Sequence, residues 1–135
     1  MSIVQSVRPA PVLLEKVVAL PATSGTTVGI SVPAGTVVLA AGFQNYTTVP
    51  DVTTYTVAVT DGTTTFMAAT SFDNTAANTN KGGVTPGFAS AAETIDVLTS
   101  ITGSPGIITG RVWAVVVDCS KNAEAADEVD RDQLA

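Results

Sequence analysis

An all-β domain, an antiparallel β-sandwich of jelly-roll-like kind, is what this sequence predicts, and three observations carry the prediction. Threonine and valine supply 21 and 20 of the 135 residues. Both are β-branched, and their stiff side chains pack well on a pleated surface. The run Thr54-Tyr55-Thr56-Val57-Ala58-Val59-Thr60 alternates with period two, which sends hydroxyls to one face and apolar groups to the other. Finally, apolar runs are separated by short turn signals, with no helical period between them.

The elements follow in order. Residues 1–11 read as an extended arm, because Arg8-Pro9-Ala10-Pro11 disfavours regular hydrogen bonding. Val12–Leu20 is the first strand, stopped by Pro21. Val28–Val32 is the second and Thr36–Phe43 the third, joined through Pro33-Ala34-Gly35 as a hairpin or a sharp corner. After residues 44–52, Thr53–Thr60 is the clearest strand, and Asp61-Gly62 predicts a two-residue turn into Thr63–Thr70. Residues 71–92 are polar and read as a long loop, functional or mobile. Thr94–Ile101 and Gly110–Cys119 complete a seven-strand domain over residues 12–119. Residues 120–135 hold five of the twelve acids and form a tail, either a short helix capped by Ser120 or Asn122 or a solvated segment.

Composition bounds the function. Hydrophobic residues make up 45% of the chain and aromatics 5%, so the core is built from small side chains and gains from burial between subunits. The net charge is −6, and the six basic residues are scattered, which argues against direct nucleic-acid binding. No basic-then-apolar leader opens the chain and no apolar run approaches a membrane span, so synthesis in a cytoplasm without membrane insertion is expected.

Catalytic groups are sparse. Histidine is absent, which removes Ser–His and Cys–His nucleophile pairs. Lys16, Lys81 and Lys121 sit in no Ser-x-x-Lys arrangement, and Cys119 reads as an inert thiol closing an apolar strand. Glu93 and Asp96 form the nearest acidic pair outside the tail, but residues three apart on a strand face opposite sides, so turn capping is expected rather than glycoside hydrolysis. Asp73, Asn74, Asn78 and Asn80 offer a calcium ion a single carboxylate, which favours a surface loop over a metal site. No cofactor is expected, and the chain reads as a non-enzymatic structural or binding module. Its candidate interface residues are Arg8, Pro9 and Pro11 in the arm, with Tyr46, Phe88 and Trp113 in the body. Trp113 has two readings, a core aromatic or an interface anchor.

Four stretches carry a resemblance: Val32-Pro33-Ala34-Gly35-Thr36-Val37-Val38-Leu39, Thr56-Val57-Ala58-Val59-Thr60-Asp61-Gly62, Ala91-Ala92-Glu93-Thr94-Ile95-Asp96-Val97 and Thr109-Gly110-Arg111-Val112-Trp113-Ala114-Val115. Over residues 12–118 the chain resembles small virion proteins of tailed bacteriophages, above all capsid decoration (cement) proteins of marine and cyanobacterial phages. The resemblance implies a β-sandwich that forms a homotrimer on the capsid surface of the virion and bridges major capsid protein subunits. It carries over no functional residue. Tail, fibre or adhesin modules use similar small β-domains, and in that alternative the 71–92 segment would bind host glycan.

Overall fold

A computed structural model describes residues 10–119, and it contains nine strands in two antiparallel sheets. The strands are β1 (Val12–Leu20), β2 (Gly25–Val32), β3 (Thr36–Asn45), β4 (Thr54–Thr60), β5 (Thr65–Ser71), β6 (Asn80–Gly83), β7 (Gly87–Ala89), β8 (Glu93–Thr102) and β9 (Ile108–Asp118). The first sheet runs β1-β9-β3-β6, with β7 also on β3, and the second runs β2-β8-β4-β5. The expected sandwich is therefore present. The arm residues Arg8 and Pro9, and the whole acidic tail, lie outside the described residues.

One connection resolves an alternative left by the sequence and another corrects an expectation. β2 pairs with β8 and β3 with β9, so Pro33-Ala34-Gly35 is a corner between sheets and not a hairpin. Asp61-Gly62 opens a four-residue loop instead of a two-residue turn, since Thr60 pairs with Thr65. The Asp61 carboxylate accounts for the longer loop, because it accepts the Thr63 amide at 2.8 Å and the Thr64 amide as well.

The 71–92 segment departs furthest from expectation. It contains β6 and β7, which lie end to end along the same edge of β3: Asn80–Gly83 pairs with Gln44 to Ala41, and Gly87–Ala89 pairs with Val38 to Thr36. They form in effect one edge strand broken at Val84-Thr85-Pro86, where proline cannot donate to the ladder. The preceding stretch is pinned by Asn45, a fully buried amide. Its Nδ2 donates to Thr47 O at 2.8 Å and Ala76 O at 2.9 Å, and its Oδ1 accepts the Thr79 amide at 3.0 Å.

The core follows from the period-two pattern. In β9 the inward residues Ile108, Val112, Ala114 and Val116 are buried, while Thr109, Arg111, Trp113 and Val115 between them are half-exposed. Phe43 and Phe72 meet edge to face with centroids 5.6 Å apart. Lys81 closes that side of the sandwich, its Nζ donating to Ser71 O at 2.5 Å and lying 4.9 Å from the Phe72 ring centre.

Candidate assembly surface

The two outer faces of the sandwich differ in chemistry. On the β2-β8-β4-β5 sheet the outward positions are mainly hydroxylic, with Thr54 beside Thr102 and Thr56 beside Ser100. On the β1-β9-β3 sheet they are mainly apolar. Leu13 lies beside Val115, and Val117 lies beside Val37, which lies beside Phe88. Leu39 is added by a bulge between Val38 and Ala40, which leaves it partly exposed on the same sheet. Leu13 is 54% exposed, Val17 61% and Phe88 61%, values that make this face the molecule's principal unpartnered apolar surface among the described residues.

Trp113 sits at the centre of that face. Its neighbours across the sheet are Glu15 on β1 and Gly42 on β3, and Gly42 in turn faces Gly82 on β6. The far edge of the indole lies over this glycine pair: a Cβ on either Gly42 or Gly82 would fall 2.5 Å from its Cζ2. Its Nε1 donates to Asn80 Oδ1 at 2.7 Å. Trp113 is thus neither a core residue nor a freely projecting one. It is half-buried and braced by the glycine pair and Asn80. Beside it Arg111 pairs with Glu15 and donates from Nε to Gln44 Oε1 at 2.6 Å, tying β1, β9 and β3 together across the outside.

Tyr46, Phe88 and Trp113 share this outer face but do not meet. Tyr46 follows β3 beside Thr109, whose carbonyl accepts its amide at 2.8 Å, whereas Phe88 lies by Val117 at the far end. Eight residues along β9 separate those ends, roughly 27 Å at the usual strand rise. Pro11 is exposed just before β1. Sequence reasoning passed over Leu13, Val17, Leu39, Val115 and Val117. The signal was present in Val12-Leu13-Leu14 and Val17-Val18, where adjacent apolar residues must cover both faces of one strand.

The polar candidates are occupied within the fold. Asp73 Oδ1 accepts the Val52 amide at 2.7 Å, and Asn74 and Asn78 take left-handed backbone conformations, with φ of 50° and 63°. Asp96 accepts the Gly29 amide at 3.3 Å, where Val28 and Gly29 bulge opposite it, so it fixes a bulge and is not Glu93's partner. Glu93 has Asp61 beside it instead. Burial first, and then the Asp61 carboxylate, push the Glu93 carboxyl above its ordinary value of 4.5. For Asp61, burial alone would raise its value, but the Thr64 and Thr63 amides outweigh burial and hold it below 3.8. Cys119 is half-buried just beyond β9, its amide bonded to Gly35 O at 3.0 Å. A shallow polar depression of about 520 Å³ is lined by Asp51, Val52, Thr53, Gly103 and Ser104, apart from the 71–92 segment.

No family model and no curated sequence matches this chain. Among solved structures it is similar to a chain in the acidic stable capsid structure of Helicobacter pylori bacteriophage KHP30, with a TM-score of 0.61 and 14% identity over 82% of this chain and 90% of that one. It also aligns with a chain from Bacillus endospore appendages, described as disulfide-linked pili, at 12% identity over 88% and 96% of the two chains, with a TM-score of 0.40. The first likeness shows a common fold, seen there in a phage capsid structure; the second is too loose to carry an argument.

Proposed function

We propose that this chain is a structural protein of a tailed-bacteriophage virion that decorates the icosahedral head and bridges major capsid protein subunits, acting as a homotrimer. The observation that carries the reading is the asymmetry of the two outer faces, one hydroxylic and one apolar with a braced tryptophan. A lone soluble domain gains nothing from an apolar sheet face, whereas a subunit of an assembly buries it. The strand order supports the jelly-roll reading. With β6 and β7 counted as one position, each sheet has four places, and the chain alternates between sheets from β1 to β4 and again from β8 to β9. The fold shared with a phage-capsid chain supports the same assignment, although that phage infects Helicobacter and lends no weight to a marine or cyanobacterial source.

The mechanism is mechanical. Each copy contributes modest contact energy through the β1-β9-β3 face, and repetition around the shell multiplies it against the pressure of packaged DNA. This role asks for no chemical step, and Asp61, Asp73 and Asp96 each accept backbone amides within the fold. The protein would be made in the host cytoplasm and act on the outside of the head. The glycan-binding alternative is less favoured, since Asp73 Oδ1 and Asn80 Oδ1 already accept from Val52 and Trp113.

Cross-linking of purified particles followed by mass spectrometry tests the assignment. Cross-links to the major capsid protein are expected. Cross-links confined to tail or fibre proteins would overturn the head assignment in favour of the adhesin reading.

A further inference from the structure

We propose that the free edge of β1 accepts an extended strand from a second copy of this chain, residues 1–9, and that an apolar side chain of that strand fills the pocket between the sheets beside Val12 and Leu14. The proposal deepens the assembly reading above and rests on it only in taking other copies to be close at hand.

The four sheet edges are treated unequally. The β6–β7 edge is short, glycine-containing and interrupted before Pro86. The β2 edge carries the Val28-Gly29 bulge, and the ladder that holds β5 to β4 shifts register twice. Short strands, bulges and prolines are the devices that stop an edge from recruiting another strand. β1 has none of them. Its nine residues pair with β9 in unbroken register, and β9 is its only strand partner among the described residues. One row of its backbone donors and acceptors therefore faces away from the sheet.

Charge guards the middle of that edge and not its start. Glu15 is drawn over β9 to Arg111, and Lys16 reaches under the sheet to Gly29 O of β2 at 3.2 Å. Neither charge remains to guard the edge at Val12-Leu13-Leu14. Beneath these residues lies an apolar pocket of about 230 Å³, lined by Val12, Leu14, Val32, Pro33, Thr36, Val116 and Asp118. The opposite side of the sandwich is closed by Lys81 and Phe72, so the β1 side is the open one. A free edge next to an apolar pocket is the arrangement that binds an extended peptide, with main-chain bonds for affinity and the pocket for side-chain selection.

The sequence of residues 1–9 fits that site. In an extended strand Ile3 and Val7 would share one face with Gln5 between them, Val4 would fall on the other face with Ser2, Ser6 and Arg8, and Arg8 is the only charged side chain. The prolines that follow favour a neighbour's edge over the parent domain's own. A tight hairpin back onto its own β1 needs positive φ in the turn, which the sequence Arg8-Pro9-Ala10-Pro11 disfavours, because proline restricts φ to near −65° and biases the residue before it towards extended backbone. Nine extended residues reach about 30 Å, enough to leave the parent domain.

Amide hydrogen exchange on the isolated full-length protein tests this, with the oligomeric state followed in parallel. The β1 amides that do not bond β9 are expected to be protected in the oligomer. Deleting residues 1–9 is expected to speed their exchange at least about tenfold while β9-bonded amides keep their protection. If the deletion variant misfolds, the full-length variant Ile3→Asn/Val4→Asn/Val7→Asn gives the same reading. Protection that falls on dilution supports exchange between copies. Concentration-independent protection would mean that the segment folds onto its own β1, and protection that survives deletion would point to a different occupant; either overturns the proposal. Because no phage head enters this assay, its failure leaves the decoration reading standing, and a failure of head binding leaves this inference standing.

Discussion

Trp113 owes its position to two residues that have no side chain. With hydrogen at Gly42 and Gly82 the indole lies on the sheet and bonds Asn80; with a methyl group at either site it cannot. Gly82→Ala is therefore expected to displace the ring and to cost about 1–3 kcal/mol, the usual range for overpacking. Tryptophan fluorescence and a urea melt check this, and an unchanged emission maximum would show that the ring does not rest on the glycines. Asn45→Ala is expected to cost about 1–2 kcal/mol, because the buried Asn45 amide gives up three hydrogen bonds while Thr47, Ala76 and Thr79 lie near enough to solvent to recover part of them. Tyr55 behaves in the opposite way. Its hydroxyl is buried without a partner among the described residues, and burial pushes it up to about 12. Tyr55→Phe removes that unpaired group, so stability is expected to stay within about 1 kcal/mol of wild type or to rise.

The Asp61–Glu93 pair sets a pH dependence at the same scale. The Glu93 value is raised in the folded chain, so the folded state binds this proton more tightly than the unfolded one. Its contribution is complete below 4.5 and is lost as pH rises through the raised folded value. Asp61 runs the other way: its contribution holds above 3.8 and is lost as pH falls through the lowered folded value. Glu93→Gln is expected to raise neutral-pH stability by less than about 1 kcal/mol and to flatten the decline as pH rises from 4.5 through the raised folded value. Urea midpoints at acidic and neutral pH measure it; a variant less stable at neutral pH would contradict the account.

At the scale of elements, legibility followed side-chain alternation. β1 appears over the residues the pattern marks, Val12–Leu20, and β4 begins one residue late, at Thr54. β6 and β7 were hidden because their ladder needs backbone only. Asn80-Lys81-Gly82-Gly83 has no apolar alternation, and it becomes a strand because β3 offers an edge to it. The face of Trp113 was equally illegible: Val112-Trp113-Ala114-Val115-Val116-Val117 is apolar on both faces, and the glycines that decide the matter lie in β3 and β6. The pairing of Asp61 with Glu93 depends on β4 and β8 being neighbours, which no local pattern states. What could have been read is the doubled apolar character of β1, which marks a strand with two faces to cover.

At the scale of the whole molecule, the polar side chains of the sandwich mostly serve its own backbone. Its surface divides into a hydroxylic sheet, an apolar sheet and one free edge. That division makes sense for a part that is held by its neighbours on a particle. It also predicts which substitutions spare the fold while removing the function. Leu13 and Phe88 lie on different strands of the apolar face and are more than half exposed, so charges there meet solvent in the free protein and desolvation only on assembly.

The most direct measurement is saturation binding to purified phage heads stripped of this protein, comparing wild type with Leu13→Asp/Phe88→Asp at matched folding stability. The account predicts that wild type saturates the head at a stoichiometry set by its lattice and that the double variant binds at least about tenfold more weakly, the equivalent of 1.4 kcal/mol. Equal binding by the two proteins would show that the β1-β9-β3 face does not contact the shell and would contradict the account at its centre.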